Sequence, residues 1–91
     1  MTDPDPIVAE LRAEINRLDR ELLVTINRRF EVVQRLHVHK GETGMPFRDL
    51  EREISMLRAL EAENTGPLSA EGVASFFTDV VELIRGEMYG A

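Results

Sequence analysis

Two basic side chains interrupt the apolar face of a long amphipathic segment near the start of the sequence. Arg29 and Lys40 fall on the same helical face as a series of apolar residues, and Arg12 lies beside the first of them. A cation on an interior face is costly unless an anion meets it, so the pattern suggests a site for a small anion. The apolar residues recur at the three- and four-residue intervals of a helix. They are Leu11, Ile15, Leu18, Leu22, Ile26, Val33 and Leu36.

Two interpretations of these basic residues remain open. Long basic side chains in a helical bundle can converge on a pocket between facing helices and bind an anion there. Alternatively, Arg29 and Lys40 lay their methylene groups over apolar surface and send their charged ends to water. The second interpretation is the simpler one for a single residue, whereas the two residues together with Arg12 favour neither.

A second dense charged segment runs from Arg48 to Glu53. Asp49 precedes Arg52 by three residues and Glu53 by four, so these side chains share one helical face and can pair. The alternative is a solvated first turn, in which acidic residues suit the positive end of the helix dipole. A functional site requires this segment to face the basic residues of the first helix.

The sequence lacks the residues of several common catalytic sites. It has no cysteine, no glycine-rich phosphate loop, and no paired nucleophile and base. His37 and His39 are two residues apart and point to different faces of a helix, so we expect surface or helix-end residues rather than a metal site. We therefore expect no metal and no cofactor. An enzyme built from these residues would act by positioning and electrostatics.

A single long helix has to position the basic residues. Asp5 and Pro6 are typical of a helix start, since Asp caps free amide groups and proline is tolerated at the first helical position. No proline or glycine follows until Gly41, so we expect a helix to about Lys40 that is about 50 Å long. A domain of this size has a radius of gyration of only about 12 Å. The far half of the helix must therefore pack elsewhere, most simply against a second copy in an intertwined homodimer.

Two shorter helices are expected after the first. Residues 41–44 break the first helix, and a second helix runs from near Asp49 to about Glu63. Residues 64–67 form a turn, and Ser69 is the expected N-cap of the third helix. No segment has the two-residue period of a half-buried strand, so the predicted fold class is all-α. The apolar stripe of the third helix consists of Val73, Phe76, Phe77, Val80, Ile84 and Met88.

Length and composition restrict the number of domains, the binding partners and the cellular location that we expect. The 91 residues form one domain, with residues 1–5 as a flexible tail and residues 6–91 as the helical domain. The formal net charge of -6 argues against a broad surface for nucleic acid or anionic lipid. The start does not resemble a signal peptide, and no segment approaches the roughly 20 apolar residues of a membrane span. Together with the absence of cysteine, this predicts a cytoplasmic protein.

The order and spacing of the charged and apolar residues resemble the all-helical chorismate mutases. Each element is weak by itself, but the match spans nearly the whole chain. The resemblance implies an intertwined dimer of three-helix chains that converts chorismate to prephenate without a cofactor. The matching elements are Leu11-Arg12, Ile15, Leu18-Asp19, Leu22-Leu23, Arg28-Arg29, Lys40, Arg48-Asp49 and Arg52-Glu53.

The resemblance also implies how the basic residues act. Arg29 and the partner's Arg12 would hold the two carboxylates of chorismate, selecting the form whose enolpyruvyl arm is folded over the ring. Lys40 would donate to the ether oxygen of the breaking bond, where negative charge gathers in the transition state. Arg12 would thus complete the site across the dimer interface.

The same resemblance implies roles for the charged segment from Arg48 to Glu53. Glu53 would accept a hydrogen bond from the ring hydroxyl, with the main chain near Asp49 helping and Arg52 orienting the acid. The remaining residues expected to contact the substrate are Leu36, Ile84, Glu87 and Met88.

One position departs from the family pattern. Many members have a glutamine in the last helix as a second donor to the ether oxygen, and that position is Met88, with Ile84 at a usual serine position. Methionine cannot donate. Ile84 and Met88 then simply extend the core stripe, or the neighbouring Glu87 substitutes as a donor when protonated.

Four hypotheses follow in order of preference. The first is a chorismate mutase of phenylalanine and tyrosine biosynthesis, and the second is an isochorismate pyruvate-lyase on the same scaffold. The third, motivated by Met88, is a weak mutase-like module that is activated by a partner synthase or regulates it. A plain helical dimerisation protein comes last, because it leaves Arg29 and Lys40 unexplained.

Overall fold

The computed structural model describes residues 5–90 of the chain. These residues form three helices and no strand, which confirms the predicted all-α fold: α1 is Pro6–Thr43, α2 is Leu50–Glu63 and α3 is Ala70–Tyr89. The chain divides into two compact units, an N-terminal unit up to Leu36 and a C-terminal unit from His37 onward. Within the described residues, no helix is both long enough and apolar enough to cross a membrane.

The start of α1 agrees with its sequence signal. The Asp5 carboxylate accepts hydrogen bonds from the backbone amides of Ile7, at 2.9 Å, and Val8, at 3.4 Å, and Pro6 takes the first helical position. Asp5, which was predicted both as the cap of α1 and as the last residue of the tail, caps the helix. Residues 1–4 of the predicted tail lie outside the described residues.

α1 continues to Thr43, past the predicted end near Lys40 but within the segment 41–44 that was predicted to break it. Helix termination depends on Gly44, whose φ of 72° lies in the left-handed region that favours glycine. The amide of Met45 then donates to the carbonyl of Lys40 at 2.9 Å, which is the longer hydrogen bond of a Schellman motif. A glycine inside a helix is tolerated at modest cost, so Gly41 alone does not end it.

The N-terminal unit leaves its apolar stripe uncovered. No residue of α1 is buried, and the first four stripe residues are between 50% and 56% exposed. Apolar area on this scale is normally removed from water by a further layer of structure. The four residues are Leu11, Ile15, Leu18 and Leu22.

The C-terminal unit has a small core in which α2 packs against α3. Its buried residues are Val73, Val80 and Ile84, all from the predicted stripe of α3. Phe76 of that stripe is 47% exposed, whereas the adjacent Phe77 is half-buried and meets the Phe76 ring edge to face. Only part of the predicted apolar stripe of α3 is therefore buried in the core.

Side-chain caps fix the starts of both shorter helices. The Asp49 carboxylate accepts from the backbone amide of Arg52 at 3.0 Å, and the Ser69 hydroxyl accepts from that of Gly72 at 3.0 Å. Asn64 stabilises the turn between α2 and α3, because its side-chain amide nitrogen donates to the carbonyl of Leu68 at 2.7 Å. The predicted N-cap at Ser69 is confirmed.

The cap at Ser69 can be tested with a matched substitution in the same helix. Ser69→Ala leaves the amide of Gly72 without its acceptor and should lower the free energy of unfolding by about 1 kcal/mol. Ser75→Ala makes the same chemical change at an exposed position within α3 and should stay within about 0.5 kcal/mol of the wild type. Urea denaturation at one fixed protein concentration measures both, and equal losses would contradict the capping role.

Candidate active site

The N-terminal unit carries two of the predicted site residues, Arg12 and Arg29. Arg29 is half-buried, and Arg12 is exposed. They are seventeen positions apart on one helix, which corresponds to about 25 Å along the axis. Two arginines at this separation on one helix cannot both hold one small molecule. Leu36, the third predicted contact in this unit, is 50% exposed.

Four charged residues of the C-terminal unit form a cluster that joins the start of α2 to α3. Arg85 donates through Nη2 to Oε1 of Glu53 at 2.5 Å and through Nη1 to Oε1 of Glu82 at 2.6 Å. Arg48 lies 3.5 Å from Oε2 of Glu53 and 3.8 Å from Oε1 of Glu82. We call Arg48, Glu53, Glu82 and Arg85 the charged cluster, and its formal charges cancel.

The inner pair of the charged cluster is better shielded from solvent than the outer pair. The side chains of Arg85 and Glu53 are 25% and 24% exposed, whereas those of Arg48 and Glu82 are more than half exposed. Although partial burial lowers the pKa of the Arg85 guanidinium, its hydrogen bonds and charge interactions with Glu53 and Glu82 raise that pKa above its usual value. Arg85 is therefore a permanent cation at this position.

The described contacts of the Glu53 carboxylate come from Arg48 and Arg85 rather than from Arg52. Arg52 is exposed, and adjacent residues of a helix do not face each other. Asp49 uses its carboxylate to cap α2 and its carbonyl to accept from the amide of Glu53 at 3.1 Å. The sequence analysis singled out Glu53 but did not identify Arg85 and Arg48 as the residues that contact it.

Lys40 lies next to an aromatic cluster at the end of α1. The residue is half-buried, and its ammonium donates to the carbonyl of Phe47 at 3.3 Å. The Phe47 ring stacks on the His37 ring with centroids 4.2 Å apart, and the Tyr89 hydroxyl lies 2.9 Å from Nδ1 of His37. These contacts tie the last turns of α1 to the following loop and to the end of α3. His37 therefore takes part in tertiary contacts, whereas His39 is exposed as predicted.

The residues of α3 that were expected near the substrate differ from the one that contacts Glu53. Ile84 is 2% exposed and belongs to the core, while Met88 is half-buried and Glu87 is exposed. The residue after Ile84, Arg85, is the one that reaches Glu53. The available signal was the opposite-charge pair that Arg85 makes with Glu82 three residues earlier. Among residues 5–90, no group of acidic and histidine side chains is arranged to hold a metal ion.

Comparison with known proteins identifies the family. The model of the chorismate mutase type II family matches residues 11–88. The chain belongs to this family. It is also similar to a solved chorismate mutase from Thermus thermophilus, with 34% identity and a TM-score of 0.83 over 85% of this chain and 96% of that chain. A second form of the Thermus protein gives a TM-score of 0.82 over 85% of this chain and 88% of that one.

Two curated relatives are longer than this type II chorismate mutase chain. The T-protein of Haemophilus influenzae is 40% identical over 82 residues, which are 88% of this chain and 20% of that protein. A bifunctional chorismate mutase/prephenate dehydratase of Neisseria gonorrhoeae is 35% identical over 77 residues, which are 85% of this chain and 21% of that protein. The chain therefore spans about a fifth of the curated relatives it matches. The predicted family is confirmed.

Proposed function

We propose that this chain catalyses the rearrangement of chorismate to prephenate, a step toward phenylalanine and tyrosine, without a cofactor. The observation that carries the proposal is the likeness to the Thermus chorismate mutase, 96% of which this chain covers. The absence of cysteine favours a reducing compartment, and we propose that the protein acts in the cytoplasm.

The reaction is intramolecular, so the protein supplies geometry and charge rather than reacting groups. It has to select the folded form of chorismate and stabilise the negative charge that develops on the ether oxygen. Arg29 and the partner's Arg12 bind the two carboxylates in this proposal. Fixed guanidinium groups suit this role because their donors match a carboxylate in a rigid fork.

Lys40 is the proposed donor to the ether oxygen, and two observations support it. It is the only lysine in the sequence, and it is half-buried. An ammonium has three donors, so the hydrogen bond to the Phe47 carbonyl leaves others for a ligand. Partial burial strengthens such an interaction, because the effective dielectric constant is lower than in water.

Glu53 is the proposed acceptor of the ring hydroxyl. Arg85 and Arg48 approach one carboxylate oxygen each, and each oxygen can accept more than one hydrogen bond. The carboxylate therefore keeps capacity for a substrate hydroxyl. Asp49 and Arg52, at the start of α2, are proposed to assist Glu53. The apolar contacts in this proposal are Leu36 and Met88, with Glu87 next to Met88, whereas Ile84 belongs to the core.

We further propose an intertwined homodimer in which each chain completes the other's site. The exposed apolar stripe of α1 supports it, because a second copy would remove that stripe from water. The separation of Arg12 and Arg29 along one helix also supports it, since two different chains could bring both residues to one substrate. A partner synthase that raises the rate would fit the lack of a donor at Met88.

Removing the positive charge of Lys40 or of Arg29 should abolish most of the mutase activity. Lys40→Ala and Arg29→Ala should each lower the rate of chorismate loss by about 10²- to 10³-fold, because a preorganised donor to the developing charge or the substrate carboxylate is lost. Arg17→Ala, at an exposed arginine that pairs with Glu14 at 3.7 Å, should leave the rate nearly unchanged. Salicylate formed from isochorismate, with no prephenate formed from chorismate, would contradict the proposal and favour a lyase.

Sharing of the site between chains predicts complementation of two inactive variants. Arg12→Ala and Arg29→Ala should each be inactive alone, whereas a denatured and refolded mixture should regain about a quarter of the wild-type activity. Half of the random dimers are mixed, and each mixed dimer has one intact site. Sedimentation confirms dimer formation in every sample. If the mixture stays inactive, Arg12 serves the site of its own chain or no site at all.

The position of Met88 predicts a gain of activity. Met88→Gln introduces a second donor to the ether oxygen and should raise kcat by about tenfold or more. Met88→Leu keeps the position apolar and should change kcat little. Steady-state assays of both variants measure the difference. Equal kcat values for the two variants would show that residue 88 does not approach the reacting oxygen.

A further inference from the structure

We propose that Arg85 is the positioning residue for Glu53, held in turn by Glu82, and that the charged cluster presents Glu53 to a dianionic substrate without net repulsion. This inference rests on the proposed function. It adds to the site two residues, Arg85 and Glu82, that were not among the candidates of the sequence analysis.

The geometry of the guanidinium carries the first step. Arg85 gives one terminal nitrogen to Glu82, three residues earlier on α3, and the other to Glu53 on α2. A guanidinium is planar and rigid, so fixing one nitrogen on Glu82 fixes the direction in which the other points. Glu53 is thereby held by a donor whose own orientation is set within α3.

These contacts restrict the Glu53 side chain before the substrate binds, so its ordering does not add to the cost of reaching the transition state. A free glutamate side chain samples many rotamers, and ordering it costs conformational entropy. In this chain Oε1 meets Arg85 and Oε2 lies near Arg48, so the carboxylate is oriented before any ligand arrives. Prior orientation of a group that contacts the substrate lowers the barrier of an intramolecular reaction.

Charge balance carries the second step. A lone carboxylate would repel a substrate that itself carries two carboxylates, and the partial burial of Glu53 would weaken screening of that repulsion. Arg85 and Arg48 offset the charges of Glu53 and Glu82, so the charged cluster is neutral as a whole. Loss of Arg85 leaves a net negative charge beside the substrate.

The small core offers a reason to expect a folded protein without Arg85. Val73, Val80 and Ile84 are buried and none of them belongs to the charged cluster, and α2 packs against α3. Exposed and partly exposed ion pairs contribute little to stability in general. A variant of Arg85 should therefore report on the site rather than on folding.

A double-mutant cycle on kcat/KM tests the inference. Arg85→Gln should lower kcat/KM by about tenfold, with part of the loss in KM, because the substrate then meets a net negative charge. In the Glu53→Gln background the same change should have a clearly smaller effect, because the carboxylate that Arg85 orients is gone and the cluster goes from net positive to neutral rather than from neutral to negative. Arg58→Gln, at an exposed arginine of α2, removes the same charge and should leave kcat/KM within about twofold.

Arg85→Lys separates charge from geometry in the same cycle. It keeps the cation but loses the rigid fork, so KM should return toward the wild-type value while kcat stays reduced. This variant also serves if Arg85→Gln fails to fold, as judged by helical content and melting temperature.

Three outcomes would overturn the inference. An active wild type with unaffected Arg85 variants shows that Glu53 needs no such support. Equal losses from Arg85→Gln in both backgrounds show that Arg85 acts independently of Glu53. An inactive wild type contradicts the proposed function itself, and this inference with it, so the two failures are distinguishable.

Discussion

The small amount of apolar surface that one chain can bury constrains the rest of the structure. Only Val73, Val80 and Ile84 are buried among the described residues, and all three belong to α3. A core of this size supplies little of the free energy needed to order a chain of this length. Helix caps add to this core, and the proposed second copy would add more by covering the exposed stripe of α1.

Local signals in the sequence predicted the local features of the fold. Asp5 and Ser69 were identified as caps because a cap depends only on residues two or three positions away. The predicted break over residues 41–44 contains two glycines, and of these only Gly44 adopts the left-handed conformation that ends the helix. Sequence alone does not show which of two nearby glycines takes a positive φ.

Spacing and family resemblance proposed the cations on α1 and Glu53 as candidates for the site. The residues that hold Glu53 were not predictable, because Arg85 lies 32 positions away and meets it only when α2 and α3 pack. Likewise, the contact of His37 with Tyr89 spans 52 positions. Contacts at this separation depend on how the helices rotate about their axes, which the spacing within one helix does not determine.

The connection between α1 and α2 has little freedom in its length. Its two ends are fixed, by the left-handed Gly44 on one side and the capping Asp49 on the other, which leaves four residues between them. Two of these four also make tertiary contacts, since Phe47 meets His37 and Lys40, and Arg48 joins the charged cluster. Surface loops usually accept insertions at low cost. This one acts as a spacer of set length, so an inserted or deleted residue would pull an aromatic ring and a charged group out of register together.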